Sequence, residues 1–117
     1  MIHNASSSTG NIDIDSEINI NSVNSILETC ENLGVKKCIV TSSFRTIIDA
    51  TPTKEIYDES DFASQIPQGS GSRTHPKIEL EQTIQNFQNR SNENSKLEIV
   101  IMNPGQILGN FLIQHKF

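Results

Sequence analysis

The chain has 117 residues, 34% of them hydrophobic, with a formal net charge of -5 and a pI near 5.0. That length holds one domain with a modest core and is too short for a cofactor domain plus a separate substrate domain. The nine Lys and Arg are scattered, so nucleic acid is not an expected partner. No apolar run approaches the roughly 20 residues of a membrane span, and Met1-Ile2-His3-Asn4 lacks the basic and apolar regions of a secretory signal, so a soluble, cytoplasmic protein is the expectation.

Met1 to Asn4 reads as the end of a strand, followed by a polar, glycine-containing loop over Ser6 to Asn11. Asp15 or Ser16 is the expected N-cap of a first helix. From Glu17 to Leu33, Ile20, Val23, Ile26, Leu27, Cys30 and Leu33 recur at spacings of three and four, which puts them on one helical face. Gly34 then stops the helix. Cys38-Ile39-Val40, bounded by Lys36-Lys37 and Thr41-Ser42-Ser43, reads as a short buried parallel strand.

Arg45 to Gly71 carries Pro52, Pro67, Gly69 and Gly71 with little periodicity and reads as a long irregular loop, a kind of segment that usually has a job. Thr74 and Pro76 open a second helix with Leu80, Ile84 and Phe87 on its apolar face, ending in a polar linker over Asn86 to Ser95. Leu97 to Met102 is the most strand-like segment and is closed by Asn103-Pro104-Gly105. Strands over residues 1–4, 37–41 and 97–102 alternating with helices over 16–33 and 75–89 predict an α/β fold with a parallel sheet and right-handed crossovers. Cys30 and Cys38 are expected to be buried free thiols. His3, His75 and His115 lie far apart with no ligand-spaced Cys or carboxylate, which gives a metal site no support.

Four stretches carry a family resemblance. Ile2-His3-Asn4-Ala5-Ser6 is similar to a V-x-H-x-A-S strand end. Asn19, then Ser25-Ile26-Leu27-Glu28-Thr29-Cys30, then Gly34-Val35-Lys36-Lys37-Cys38-Ile39-Val40-Thr41-Ser42-Ser43 resemble N-V-x-G-T-x-N-V-L-E-A-C followed by G-V-K-R-V-V-x-T-S-S. Tyr57-Asp58-Glu59-Ser60-Asp61-Phe62 is close to Y-D-E-S-D-W, and Met102-Asn103-Pro104-Gly105-Gln106-Ile107-Leu108-Gly109 to N-P-G-x-V-L-G. On these the chain resembles the extended short-chain dehydrogenase/reductases of the NAD-dependent epimerase/dehydratase superfamily, and among them the dihydroflavonol reductases and cinnamoyl-CoA reductases. The resemblance implies a single, partial NAD(P)-binding Rossmann-like domain over 1–117: an internal fragment holding the family's fourth to sixth strands. The N-terminal glycine-rich turn and the C-terminal substrate segment would lie outside it.

In that family a Tyr delivers a proton to a substrate carbonyl while the nicotinamide delivers a hydride, and a Lys four residues later lowers the phenol's pKa and holds the ribose. A free phenol titrates near pH 10, so without a neighbouring cation it is poorly matched to neutrality. Lys77 matches the lysine, since Ile78-Glu79-Leu80-Glu81 resembles the family's x-x-A-E continuation, but Arg73 stands where the tyrosine should. The only tyrosine, Tyr57, belongs to a different motif, and His75 is read as a solvated histidine near a helix start. Ser43 aligns with the catalytic serine at the C-terminal end of a strand, where such sheets place ligands.

The resemblance assigns contacts with the nicotinamide half of NADP or NAD to Ala5, Ser6, Thr41, Ser42, Lys77, Pro104, Gly105 and Ile107, and implies a small-molecule carbonyl substrate. No strand-turn-helix glycine motif for the pyrophosphate occurs, and Gly69-Ser70-Gly71 reads as loop punctuation. The expectation is therefore an inactive relative of a reductase. The alternatives are half of a split reductase completed by another chain and a non-enzymatic interaction module. The exposed edge of the first strand would favour association with a complementing chain or with itself.

Overall fold

The structure, a computed structural model, describes residues 1–49, 53–63, 65–90 and 95–107. Its elements are β1 (Ile2–His3), α1 (Ile12–Asn32), β2 (Lys37–Thr41), α2 (Arg45–Ile48), α3 (His75–Arg90) and β3 (Glu98–Met102). The strands form one parallel sheet in the order β1-β2-β3, with Ile2 opposite Ile39, Ile39 opposite Val100, and Val40 opposite Ile101. This is the expected truncated Rossmann-type arrangement. Among the described residues β1 and β3 are both edge strands.

Successive side chains of a strand point to opposite faces, and the two faces of this sheet differ. Cys38 and Val40 pack against Val23, Leu27 and Cys30 of α1 and Leu80, Ile84 and Phe87 of α3 in one buried cluster, flanked by Ile99 and Ile101. Ile2, Val100 and Met102 point the other way and are exposed, with Ile2 at 68%. Among the described residues no helix is long and apolar enough to cross a membrane.

The end of α1 is the expected one. Gly34 takes φ +66, its N–H donates to the Glu31 carbonyl at 3.1 Å, and the Val35 N–H reaches the Cys30 carbonyl at 2.8 Å. This paired closure satisfies two orphan carbonyls and requires a left-handed residue at Gly34.

Two expectations need correction. The N-cap of α1 is Asn11, not Asp15 or Ser16: the Asn11 side chain accepts from the Ile14 N–H at 3.2 Å, and the helix starts at Ile12. Asp15 lies inside the first turn because its carboxylate is consumed by the preceding loop rather than by the helix terminus. The stretch read as a continuous loop from Arg45 begins instead with the single turn α2, because the Ser43 carbonyl accepts from both the Thr46 N–H, at 3.1 Å, and its hydroxyl, at 2.7 Å. Residues 50–52 and 64 of that loop, 91–94 of the linker, Leu108, Gly109 and His115 lie outside the described residues.

Cys30 and Cys38 are free and buried in the shared core. Burial, with Cys30 as neighbour, pushes the Cys38 thiol up to about 11. Against an ordinary thiol near 8.5, the thiolate fraction at pH 8 falls by roughly two orders of magnitude. Alkylation followed by mass spectrometry should therefore show Cys38 at least that much slower in the native chain than in urea.

Candidate functional site

Parallel strands deliver their C-terminal ends to one edge of the sheet, and the start of α3 returns to that edge. Ser6 follows β1, Ser43 follows β2, and Arg73 and Lys77 flank the first residues of α3. Together with Asn19 and other polar residues they line a cleft of about 200 Å³. Four of the residues singled out from sequence thus meet in one place, with Asn19 beside them. Arg73 is exposed and has neither an ion pair nor a hydrogen bond among the described residues.

Lys77 is half-buried, and its ammonium donates to the Thr41 carbonyl at 3.1 Å. Burial pulls its pKa below the usual lysine range, and the nearby Glu81 carboxylate offsets part of that fall. The Ser43 Oγ accepts from the Arg45 N–H at 3.3 Å, which leaves its own proton free to donate. His3, buried at the end of β1, has its pKa lowered by burial and by the Lys77 charge, and its Nε2 has no hydrogen-bond partner among the described residues.

The remaining residues assigned by resemblance do not line this cleft. Ser42 is buried and donates its hydroxyl to Glu81. Thr41 contributes its carbonyl to Lys77. The Pro104 carbonyl accepts from the Phe44 N–H at 3.2 Å, while Ala5, Gly105 and Ile107 are exposed. Tyr57 is also elsewhere, its hydroxyl accepting from the Lys54 N–H at 3.3 Å within a turn that Asp58 and Asp61 bond to themselves. His75 faces Glu79 one turn along α3, Nε2 to Oε1 at 3.4 Å.

Beneath the cleft lies a buried carboxylate that sequence reasoning missed. Glu81 is 2% exposed, and its Oε1 accepts from Ser42, from Thr46 at 2.8 Å and from Asn103 at 2.7 Å. Asn103 also donates to the Ser43 carbonyl at 3.0 Å. One carboxylate therefore holds the end of β2, α2, α3 and the segment after β3 in register. The available signal was its position four residues after Lys77, on the same helical face.

The serine loop is held by a second buried acid. Asp15 Oδ1 accepts from the Ser7 hydroxyl at 2.7 Å, the Thr9 N–H at 2.8 Å and the Thr9 hydroxyl at 2.9 Å, and Oδ2 from the Gly10 N–H at 3.1 Å. Asn19 adds a bond from the Ser7 N–H at 2.7 Å. The Thr9 backbone donor, ahead of the other bonds, holds the Asp15 carboxyl below the usual carboxylate range. A depressed folded pKa adds stability that is complete above the unfolded value of about 3.9 and is lost as pH falls through the folded one. Urea midpoints measured between pH 6 and pH 2 should decline for the native chain. In Asp15→Asn the midpoint should start lower and lose less over that window.

Lys77 has three donors and uses one, so two remain for a ribose diol, and the Ser43 proton is free for a carbonyl oxygen. The residues present thus fit the nicotinamide-ribose end of a dinucleotide. Among the described residues no cluster of His, Cys, Asp and Glu could hold a metal ion.

The 3-beta hydroxysteroid dehydrogenase/isomerase family profile matches residues 1–116. No curated protein and no solved structure gives a significant match. A match over nearly the whole chain agrees with the parallel sheet. The chain belongs to the 3-beta hydroxysteroid dehydrogenase/isomerase family, within the extended short-chain dehydrogenase/reductase, NAD-dependent epimerase/dehydratase superfamily, whose members are generally NAD(P)-dependent oxidoreductases.

Proposed function

We propose that this chain is the carbonyl-side part of a cytoplasmic NAD(P)-dependent reductase of the dihydroflavonol reductase and cinnamoyl-CoA reductase kind, and that these 117 residues do not reduce carbonyls by themselves. The observation that carries this reading is the cleft in which Ser43 and Lys77 meet Arg73, four residues before the lysine. A guanidinium stays charged far above neutrality, so it is a poor general acid where a lysine-tuned phenol would be a good one. Arg73 therefore supplies charge and no usable proton.

A bound NAD(P)H would supply the hydride. Lys77 would hold its ribose through the two donors that Thr41 leaves free, and Ser43 would donate to the carbonyl oxygen of a small-molecule substrate. The tyrosine's share of the chemistry has no counterpart, and the sequence contains no glycine turn to anchor the pyrophosphate. The purified chain should show no NADPH or NADH oxidation above background with aldehydes, ketones or dihydroflavonols. Arg73→Tyr alone should leave that unchanged, because the dinucleotide still lacks its phosphate anchor. Turnover by the unmodified chain would overturn the reading.

A second reading, a module completed by another chain, is favoured by the exposed row of Ile2, Val100 and Met102 on one sheet face and by the two unpaired strand edges among the described residues. Light scattering of the purified chain tests it. A monodisperse monomer with a sharp two-state urea transition would count against it.

A further inference from the structure

We propose that the cleft at the C-terminal edge of the sheet is a binding site for a small oxyanion, the carboxylate or phosphate group of a metabolite. Two cationic side chains, Arg73 and Lys77, line it together, and none of its lining residues is acidic. Neither cation has an ion-pair partner among the described residues. The acids around it are already engaged. Glu81, beside Lys77, accepts three hydrogen bonds on one oxygen. Asp15 accepts from Ser7, Thr9 and Gly10, and Asp49, which shares a neighbouring cavity with Arg73, accepts from Thr74 and pairs with Arg45.

The neutral lining supplies further donors. The Ser43 hydroxyl proton is free because its oxygen accepts from Arg45, and Ser6 and Ser72 add hydroxyls with no partner among the described residues. Guanidinium and ammonium donors converging with hydroxyls make charge-assisted bonds, about twice as strong as neutral ones, and a guanidinium can engage two oxygens at once. The start of α3 is not the donor. Its Thr74, His75, Lys77 and Ile78 N–H groups are already bonded to Gly71 and Thr74 carbonyls, and Pro76 has none.

The volume, about 200 Å³, suits a small acid or phosphate ester, and of a dinucleotide no more than one end. An arginine at the tyrosine position thus replaces a proton donor by a fixed positive charge, and the same edge of the sheet changes from a redox site to an anion site. This holds whether or not the chain ever completes a reductase, since it rests only on the two cations and the hydroxyls.

The test is titration of the full chain with inorganic phosphate, acetate and chloride at constant ionic strength, followed by backbone amide NMR. Saturable shifts centred on Ser6, Ser43, Arg73 and Lys77 are expected with an oxyanion and not with chloride. Tighter phosphate than acetate would assign a phosphate ester, and the reverse a carboxylate. Arg73→Gln, at an exposed side chain without partners among the described residues, should weaken binding roughly tenfold or more, while Lys36→Gln at the far end of the sheet should leave it unchanged. The proposal is overturned by equal response to chloride, by no saturable shift at these amides, or by equal affinity in Arg73→Gln and the native chain.

Discussion

Glu81→Ala is expected to cost about 3 kcal/mol or more, which would leave about 2 kcal/mol or less and raise the unfolded share to a few per cent or more if total stability lies near the low end of about 5 kcal/mol. The substitution removes an acceptor that Ser42, Thr46 and Asn103 share; Thr46 and Asn103 keep the Ser43 carbonyl, while the buried Ser42 hydroxyl is left unpaired. Each buried donor left unpaired costs about 1–3 kcal/mol, and the four chain segments that the carboxylate holds together separate with it. Glu81→Gln keeps an acceptor oxygen of the same shape, loses the charge assistance, and should cost about 1–2 kcal/mol. Urea denaturation followed by circular dichroism distinguishes them. Equal midpoints for Glu81→Ala and the native chain would mean that the polar web carries no stability.

Leu27→Ala is expected to lower stability by about 2–5 kcal/mol. Leu27 is fully buried on α1 in the cluster that also takes Cys38 and Val40 from β2 and Leu80, Ile84 and Phe87 from α3. Removing it opens a cavity at the junction of both helices and the sheet, where neighbours from three elements would have to move together to refill it. Leu33→Ala, at the C-cap just after the same helix, is the control. Leu33 is 75% exposed, and its replacement should change stability by no more than about 0.5 kcal/mol. The same urea titration reads both.

The two helices and the two long strands were legible because their signals are local. Val23, Leu27 and Cys30 repeat at helical spacing, and Cys38 to Val40 and Leu97 to Met102 are short β-rich runs bounded by charge or by Asn-Pro-Gly. The start of α1 was not, because Asp15, which offers itself as a cap, is with Asn19 turned inward onto the Ser7–Gly10 loop, and Asn11 caps the helix instead. Glu81 escaped for the same reason. Its partners lie 39, 35 and 22 residues away, so no window of sequence shows that a carboxylate beside Leu80 is buried and paired.

The cleft was legible only through motifs. Ser43 and Lys77 are far apart in sequence, and parallel strands with a returning helix are what bring them together. Ser42 and Thr41 share a motif with Ser43 yet point into the interior or use only a carbonyl, since consecutive residues leaving a strand cannot all face one cleft.

In the proposed function Arg73 stands beside Ser43 and Lys77 at the C-terminal edge of a parallel sheet, in the place of a proton donor. A nitroxide attached to Arg73→Cys tests it most directly, with Cys30 and Cys38 protected by burial. Backbone amides of Ser6, Ser43 and Lys77 should broaden strongly, and those of Gly34 to Lys37, at the other end of β2, should not. Broadening centred on Gly34 to Lys37, or equal at both ends, would contradict the account.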